Sequence, residues 1–209
     1  MFCDIIQMIY GSENMANKNK EMLKVFWGVI RNDRKYINLV IPNCYVKDVY
    51  NIDYEELYKR GYNNIIFDID NTLLPVNDIN VPNTIVKLFE HLKEVGFSIC
   101  IVSNNNLERV LPPARKLKVS YLENANKPNK EAFDKALDIL GAGSSETVMV
   151  GDQLLSDING ANEYGLYTVL VDPIANKYDL KTGTSRVLQK IMIKKLEKRN
   201  IFHDKHYYK

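Results

Sequence analysis

The length and composition of the chain are those of an ordinary globular protein. Its 209 residues suit one domain, with or without an appendage. The proportions of hydrophobic (45%) and charged (26%) residues are close to globular averages, which excludes collagen, coiled coil and wholesale disorder. A net charge of +2 is too small for a surface dedicated to nucleic acid, so we expect no nucleic-acid partner. Three widely spaced cysteines favour a reduced, cytosolic protein, and no apolar run is long enough to cross a bilayer.

The charge is concentrated at the C-terminal end. Residues 181–209 include nine basic and two acidic residues, a net charge of +7 against +2 for the whole chain, so the preceding 180 residues carry −5. This separation of an acidic main part from a basic tail is a clue to which partners the protein binds. We therefore predict a basic C-terminal helix and tail over residues 184–209, next to a main domain over residues 36–183.

The N-terminal end, residues 1–35, is predicted to be a polar arm followed by an amphipathic helix. The arm covers residues 1–17, lacks the features of a signal peptide and leaves Met15 as an alternative start. Apolar residues of the helix, predicted over 18–35, recur at i, i+3, i+4 and i+7: Leu23, Phe26, Trp27 and Ile30. This spacing predicts that the four side chains share one buried face.

Apolar strands alternate with helices in the main domain. The predicted strands are 64–67, 97–102, 147–150 and 168–171, and the predicted helices are 54–61, 83–95, 107–117, 130–140 and 156–164. We expect Pro112-Pro113 to interrupt the helix over 107–117. Such an alternation is typical of a parallel sheet covered on both faces, so we predict an α/β, three-layer, Rossmann-like fold. The ligand crevice of such a sheet lies at the carboxyl ends of its strands.

Two carboxylates, two residues apart, follow the first of these strands. Asp68 and Asp70 belong to the segment Asp-Ile-Asp-Asn-Thr, and their side chains can point the same way into the crevice. One carboxylate can then act as a nucleophile and the other as an acid and base. Taken alone, the pair is explained equally well by a carboxylate that caps the following turn.

Three further polar motifs come later in the chain. Ser103 and Asn104 end the next strand and can hold phosphate oxygens, and Lys127 is a point charge suited to the same task. Asp152 ends a third strand and Asp157 follows five residues later, which offers hard oxygen ligands to Mg²⁺. Each motif alone also fits an ordinary turn, a solvated lysine or a helix N-cap.

Taken together, the four motifs resemble the haloacid dehalogenase (HAD) superfamily in order and spacing. The resemblance implies a phosphatase in which Asp68 becomes an aspartyl phosphate, while Asp70 protonates the leaving group and then activates water. It also implies that phosphate is bound by Thr72, Ser103, Asn104 and Lys127. It implies that Mg²⁺ is held by Asp68, Asp152 and the backbone carbonyl of Asp70, with Asp157 supporting these ligands.

The spacing of the motifs leaves no room for a cap domain. Only 31 positions separate Thr72 from Ser103 and only 24 separate Ser103 from Lys127, and these are the places where HAD enzymes insert caps. The predicted helices and strands occupy most of both intervals. The resemblance therefore implies a capless enzyme with an open crevice, which suits a large substrate.

Residues 39–186 are similar to the YqeG-type, HAD-IIIA family, which includes phosphatidylglycerophosphate phosphatases. The features that carry this similarity include the segment 46–53, Ala-Asn-Lys-Pro at 125–128 and Gly-Asp-Gln at 151–153. The similarity implies a phospholipid substrate, most of all phosphatidylglycerophosphate. A phosphoprotein or small phosphorylated metabolite as substrate, and a non-catalytic adaptor that binds a membrane or protein, remain open alternatives.

The basic ends fit a lipid substrate. Near the C-terminus an apolar stripe lies opposite a row of lysines: Leu188, Met192 and Leu196 against Lys190, Lys194 and Lys198. Basic amphipathic helices can lie at a membrane surface and contact anionic lipid, which would make the protein cytoplasmic and peripheral to the inner face of the membrane. The alternative is that both terminal helices cover the core. The oligomeric state stays open.

Overall fold

The structure is a computed structural model that describes residues 13–76, 78–174 and 180–208. The predicted polar arm lies mostly outside the described residues. Its last part, from Glu13 onward, is helical. The boundary predicted for the arm at residue 17 is therefore wrong.

One sheet of six parallel strands organises the described residues. The strands are β1 (Cys44–Val46), β2 (Asn64–Phe67), β3 (Ser98–Val102), β4 (Ser120–Leu122), β5 (Thr147–Gly151) and β6 (Tyr167–Val171). Their order across the sheet is β1-β6-β5-β2-β3-β4. The predicted parallel sheet is confirmed. Its edge strands β1 and β4 were not predicted, because three residues are too few to show a pattern.

Helices cover both faces of the sheet, as predicted. They are α1 (Glu13–Ile30), α2 (Arg34–Val40), α3 (Tyr54–Lys59), α4 (Asn83–Val95), α5 (Leu107–Leu117), α6 (Lys130–Leu140), α7 (Asn159–Tyr164) and α8 (Leu180–Glu197). Short 3₁₀ turns span Val49–Asn51 and Ser144–Glu146, and a π turn spans Leu154–Ile158. The last helix predicted before β6 therefore begins as a π turn.

Alternate residues of the central strand β2 pack in different hydrophobic clusters, one on each face of the sheet. Ile65 and Phe67 of β2 pack in one cluster with Phe89 of α4, and Ile66 packs in another with Phe133 of α6. Side chains alternate between the two faces of a strand, so a strand buried on both faces is apolar throughout. This is why the apolar run 64–67 indicated a central strand.

The predicted helix over residues 18–35 is two helices. α1 ends at Ile30, Asn32 adopts a left-handed φ of 65°, and Asp33 caps the first turn of α2 by accepting a hydrogen bond from the Lys35 amide. Gly28 lets the two helices approach closely, because a Cβ there would lie 2.1 Å from the Tyr36 ring. An apolar periodicity alone does not show where such a turn interrupts it.

The buried faces of the terminal helices pack on the body of the protein. In α1 the buried side chains are Met22, Val25, Phe26 and Val29, whereas Trp27 is 39% exposed, so the predicted stripe is displaced around the helix. Met192 and Leu196 of α8 are buried in the same cluster. The apolar stripe of α8 therefore covers the core. None of the helices described is both long enough and apolar enough to cross a bilayer.

Candidate active site

Residues predicted to be catalytic, to bind phosphate and to bind metal meet at the carboxyl ends of three adjacent strands. Asp68 follows β2 at the centre of the sheet, Ser103 follows β3 on one side, and Asp152 follows Gly151 of β5 on the other. All three residues are buried. The sheet order therefore brings together groups that lie far apart in the sequence, at the edge where open parallel sheets bind ligands.

Lys127 joins two of the predicted carboxylates. Its Nζ lies 2.8 Å from an oxygen of Asp68 and 2.8 Å from an oxygen of Asp157, and the lysine side chain is only 1% exposed. Burial alone would lower the pKa of the Lys127 ammonium, but the carboxylates of Asp157 and Asp68 outweigh burial and raise it. Lys127 is therefore a fixed positive charge beside the predicted nucleophile.

Three carboxylates form a cluster that fits a divalent cation. Asp68, Asp152 and Asp157 each place one oxygen within 4.8 Å of the others. The Asp68 Oδ2 and Asp152 Oδ1 atoms are buried and have no hydrogen-bond partner within the described ranges. Burial raises the pKa of both carboxyl groups well above their usual range. Hard oxygen donors that lack a partner and repel each other are what Mg²⁺ would satisfy.

Arg186 of α8 also contacts the cluster. Its guanidinium pairs with the Asp152 carboxylate and donates a 2.9 Å hydrogen bond from Nη1 to the Asp152 carbonyl. Gln189 donates to the same carbonyl over 3.3 Å and accepts a hydrogen bond from the Leu154 amide. The predicted basic C-terminal helix therefore supports the loop that carries Asp152.

Arg109 holds Asp70, the predicted acid and base. Its Nε and Nη2 lie 2.9 and 2.8 Å from Asp70 Oδ1, and Asn105 donates to Asp70 Oδ2. Arg109 also donates to the carbonyls of Pro75 and Asp78 in the loop after the first motif. The Asp70 carboxylate thus lies outside the three-carboxylate cluster, and only its backbone carbonyl remains a candidate metal ligand.

The predicted phosphate-binding residues differ in their surroundings. The Thr72 hydroxyl is buried without a hydrogen-bond partner in the described part of the chain, and Ser103 Oγ accepts a 3.1 Å hydrogen bond from the Asn105 amide. Asn104 instead clamps the backbone of Lys127: it accepts from the amide over 2.6 Å and donates to the carbonyl over 3.1 Å. In this structure Asn104 therefore positions Lys127, while Thr72 keeps an unused hydroxyl.

Gly151 permits the close approach of Asp157. A Cβ at residue 151 would lie 2.4 Å from Asp157 Oδ2, a separation that real side chains do not adopt. We therefore expect Gly151→Ala to displace Asp157, to lower the free energy of unfolding by about 1–3 kcal/mol and to reduce phosphate release. Urea unfolding and a phosphate-release assay measure the two effects.

Gly143→Ala is the matched control for this substitution. Gly143 has a φ of −90°, and the nearest atom to a Cβ there is 3.8 Å away, so alanine fits. Equal losses in the two variants would show that the contact with Asp157 is not what makes Gly151 sensitive.

Comparisons with known proteins show similarity to HAD-type phosphatases. A model described as HAD-hydrolase-like matches residues 124–182, and one described as mitochondrial PGP phosphatase matches residues 26–112. The chain is 33% identical over 159 residues to the protein named probable phosphatase YqeG of Bacillus subtilis (strain 168). That alignment covers 76% of this chain and 92% of the relative.

Two other relatives differ in the substrates that their names state. Phosphatidylglycerophosphate phosphatase 1, chloroplastic/mitochondrial, of Arabidopsis thaliana is 28% identical over 156 residues, which cover 70% of this chain and 44% of the relative. Glyceraldehyde 3-phosphate phosphatase of Pyrococcus abyssi (strain GE5 / Orsay) is 32% identical over 92 residues, which cover 40% of this chain and 39% of the relative. The chain thus spans less than half of either protein.

Proposed function

The chain belongs to the YqeG family of HAD-type phosphatases, and we propose that it is a Mg²⁺-dependent phosphomonoesterase that converts phosphatidylglycerophosphate to phosphatidylglycerol. The observation that carries the chemistry is the buried Asp68, which is ion-paired with Lys127 and has one oxygen with no hydrogen-bond partner among the described residues. The relatives named phosphatidylglycerophosphate phosphatases support the substrate.

In the first half of the reaction Asp68 attacks phosphorus. A bond forms between a carboxylate oxygen and phosphorus, and the bond from phosphorus to the glycerol oxygen breaks. Asp70 gives its proton to that oxygen, so the alcohol leaves neutral. Lys127, 2.8 Å from Asp68, offsets the repulsion between carboxylate and phosphate.

In the second half water releases the phosphate. Asp70 takes a proton from the water, whose oxygen bonds to phosphorus while the acyl phosphate bond breaks and Asp68 is regenerated. Arg109 and Asn105 hold the Asp70 carboxylate, so the proton exchange takes place at a fixed position. A Mg²⁺ ion held by Asp68, Asp152 and the Asp70 carbonyl, with Asp157 beside it, would supply further positive charge.

A membrane surface is the place where we propose the enzyme meets its substrate. Among the described side chains of α8, the apolar residues Val187 and Ile191 are 55% and 39% exposed. The exposed residues Lys190, Lys194 and Lys198 lie around them. This exposed face can contact anionic lipid while the apolar stripe on the other side of the helix stays buried in the core. We therefore propose a cytoplasmic protein that binds the inner face of the membrane peripherally.

Metal removal tests the proposed chemistry. EDTA should abolish phosphate release and added Mg²⁺ should restore it, because the carboxylate cluster needs a cation beside the phosphate. Asp152→Asn should raise the Mg²⁺ concentration needed for half-maximal activity, whereas Asp138→Asn, at an exposed position of α6, should leave it unchanged. Activity that survives exhaustive chelation would refute a metal-dependent reaction.

A substrate panel tests the lipid assignment. Phosphatidylglycerophosphate in anionic vesicles should give a higher kcat/KM than glyceraldehyde 3-phosphate, other sugar phosphates or phosphopeptides. Turnover in vesicles should also fall as salt rises, since the attraction of lysines to an anionic surface is screened within roughly 8 Å at physiological ionic strength. A small soluble phosphate that outperforms the lipid would instead favour the metabolite phosphatase that the Pyrococcus relative suggests.

A further inference from the structure

A groove beside the carboxylate cluster is much larger than the reacting phosphate. It has a volume of about 1030 Å³, and its walls include Arg186, which contacts Asp152, and Leu73, which follows the first motif. Ligand pockets of roughly 300–1,000 Å³ hold whole small molecules. Through Arg186 and Leu73 the groove adjoins the residues proposed to hold the reacting phosphate and its cation.

Lysines from three separate segments line the groove. Lys47 follows β1, Lys190 belongs to α8, and Lys205 lies in the segment after α8. Across the residues that the structure describes, neither Lys47 nor Lys205 forms an ion pair with a carboxylate, and both are exposed. The ammonium groups of Lys47 and Lys205 can therefore both bind an anion in this groove.

Four carboxylates also line the groove: Asp48, Asp78, Asp172 and Asp204. Each has an oxygen within hydrogen-bond distance of a neutral donor, and for Asp204 Oδ1 this donor is the Tyr45 hydroxyl at 3.2 Å. The two oxygens of Asp172 accept hydrogen bonds from the hydroxyls of Tyr45 (2.6 Å) and Tyr207 (2.5 Å). Asp48 accepts from the Tyr50 amide over 3.0 Å. Asp78 accepts from the Asn80 amide over 2.9 Å. Among the described residues, none of these carboxylates forms an ion pair with Lys47 or Lys205.

Lys205 is held in place by the edge of the sheet. Its amide donates a 3.0 Å hydrogen bond to the Tyr45 hydroxyl. Three residues later, Tyr208 pairs with Tyr45 of β1 through two backbone hydrogen bonds of 2.8 Å. The backbone of the segment that carries Lys205 is thus anchored to β1 through Tyr45.

We propose that Lys47 and Lys205, with Lys190, bind a second phosphate of the substrate while the terminal phosphate reacts at Asp68. In the lipid this group is the phosphodiester that joins the two glycerols, and in a soluble substrate it would be another phosphate at a similar distance. Lysine is a compact charge that binds phosphate well. The inference rests on the proposed function for the identity of the substrate, but not for the existence of the subsite.

Three substrates separate the subsite from the lipid assignment. They are phosphatidylglycerophosphate in vesicles, its deacylated soluble form, which keeps both phosphates, and glycerol 3-phosphate, which has one. Lys47→Gln and Lys205→Gln should each lower kcat/KM about tenfold for both two-phosphate substrates, the loss expected when a charged hydrogen bond is removed. The kcat/KM of both variants for glycerol 3-phosphate should stay within about twofold of the wild-type value. Lys135→Gln, at an exposed position of α6 outside the groove, is the matched control.

The outcomes are distinct. If the wild-type enzyme prefers the deacylated two-phosphate substrate and the groove variants lose that preference, the subsite is supported even when the lipid itself is not turned over. In that case the lipid assignment fails alone. A wild-type enzyme that does not favour two phosphates over one, or groove variants that match Lys135→Gln on every substrate, would overturn the subsite.

Discussion

Replacing Asp68 with asparagine should abolish phosphate release. An amide cannot form the acyl phosphate, and loss of a nucleophile lowers kcat by about 10⁴-fold or more in enzymes that depend on a covalent intermediate. Asparagine has nearly the same shape as aspartate and keeps an oxygen for Lys127, which lies 2.8 Å from Asp68, so we expect the fold to survive. Initial rates with an aryl phosphate and with the lipid measure the effect.

Thermal unfolding of the same variant separates chemistry from folding. The midpoint of Asp68→Asn should lie close to that of wild type, and Asp138→Asn should match wild type in both midpoint and rate. Substantial activity in Asp68→Asn, in protein shown by mass spectrometry not to have deamidated, would refute Asp68 as the nucleophile.

Lys127→Met should destabilise the protein as well as inactivate it. The substitution leaves Asp68 and Asp157 buried without the ammonium that lies 2.8 Å from each. Removal of one partner from a buried ion pair typically costs about 3–5 kcal/mol, because the remaining charge is uncompensated. We expect a loss of this size in the free energy of urea unfolding, together with loss of turnover.

Added Mg²⁺ tests whether the missing positive charge causes the destabilisation, and a substitution of a surface lysine is the control. Mg²⁺ should stabilise Lys127→Met more than it stabilises wild type, because the cation can replace part of the missing positive charge. Lys135→Met, at an exposed position, should unfold like wild type. A Lys127→Met protein with wild-type stability would show that the two carboxylates do not depend on the lysine.

The sequence alone determined the framework of the site. The apolar run before Asp68 identifies a strand buried on both faces, and the helices over 83–95, 107–117 and 130–140 have the predicted bounds. The interruption predicted at Pro112-Pro113 is wrong, because α5 continues through both prolines. Strand-end residues are predictable because a parallel sheet places its carboxyl ends at one edge. Asp68, Ser103 and Asp152 could therefore be assigned to one site from the pattern alone.

Only the tertiary structure decided which charges neutralise the site and which surfaces remain exposed. Arg109 and Arg186 belong to helices whose sequence gives no sign of the carboxylates that they contact, because those contacts join residues 39 and 34 positions apart. The pattern of the basic C-terminal helix fitted either a membrane surface or the core. Its stripe is buried because Met192 and Leu196 meet apolar side chains of α1 and the π turn. The periodicity of a helix shows that one face is apolar, but the partner of that face depends on how distant segments pack.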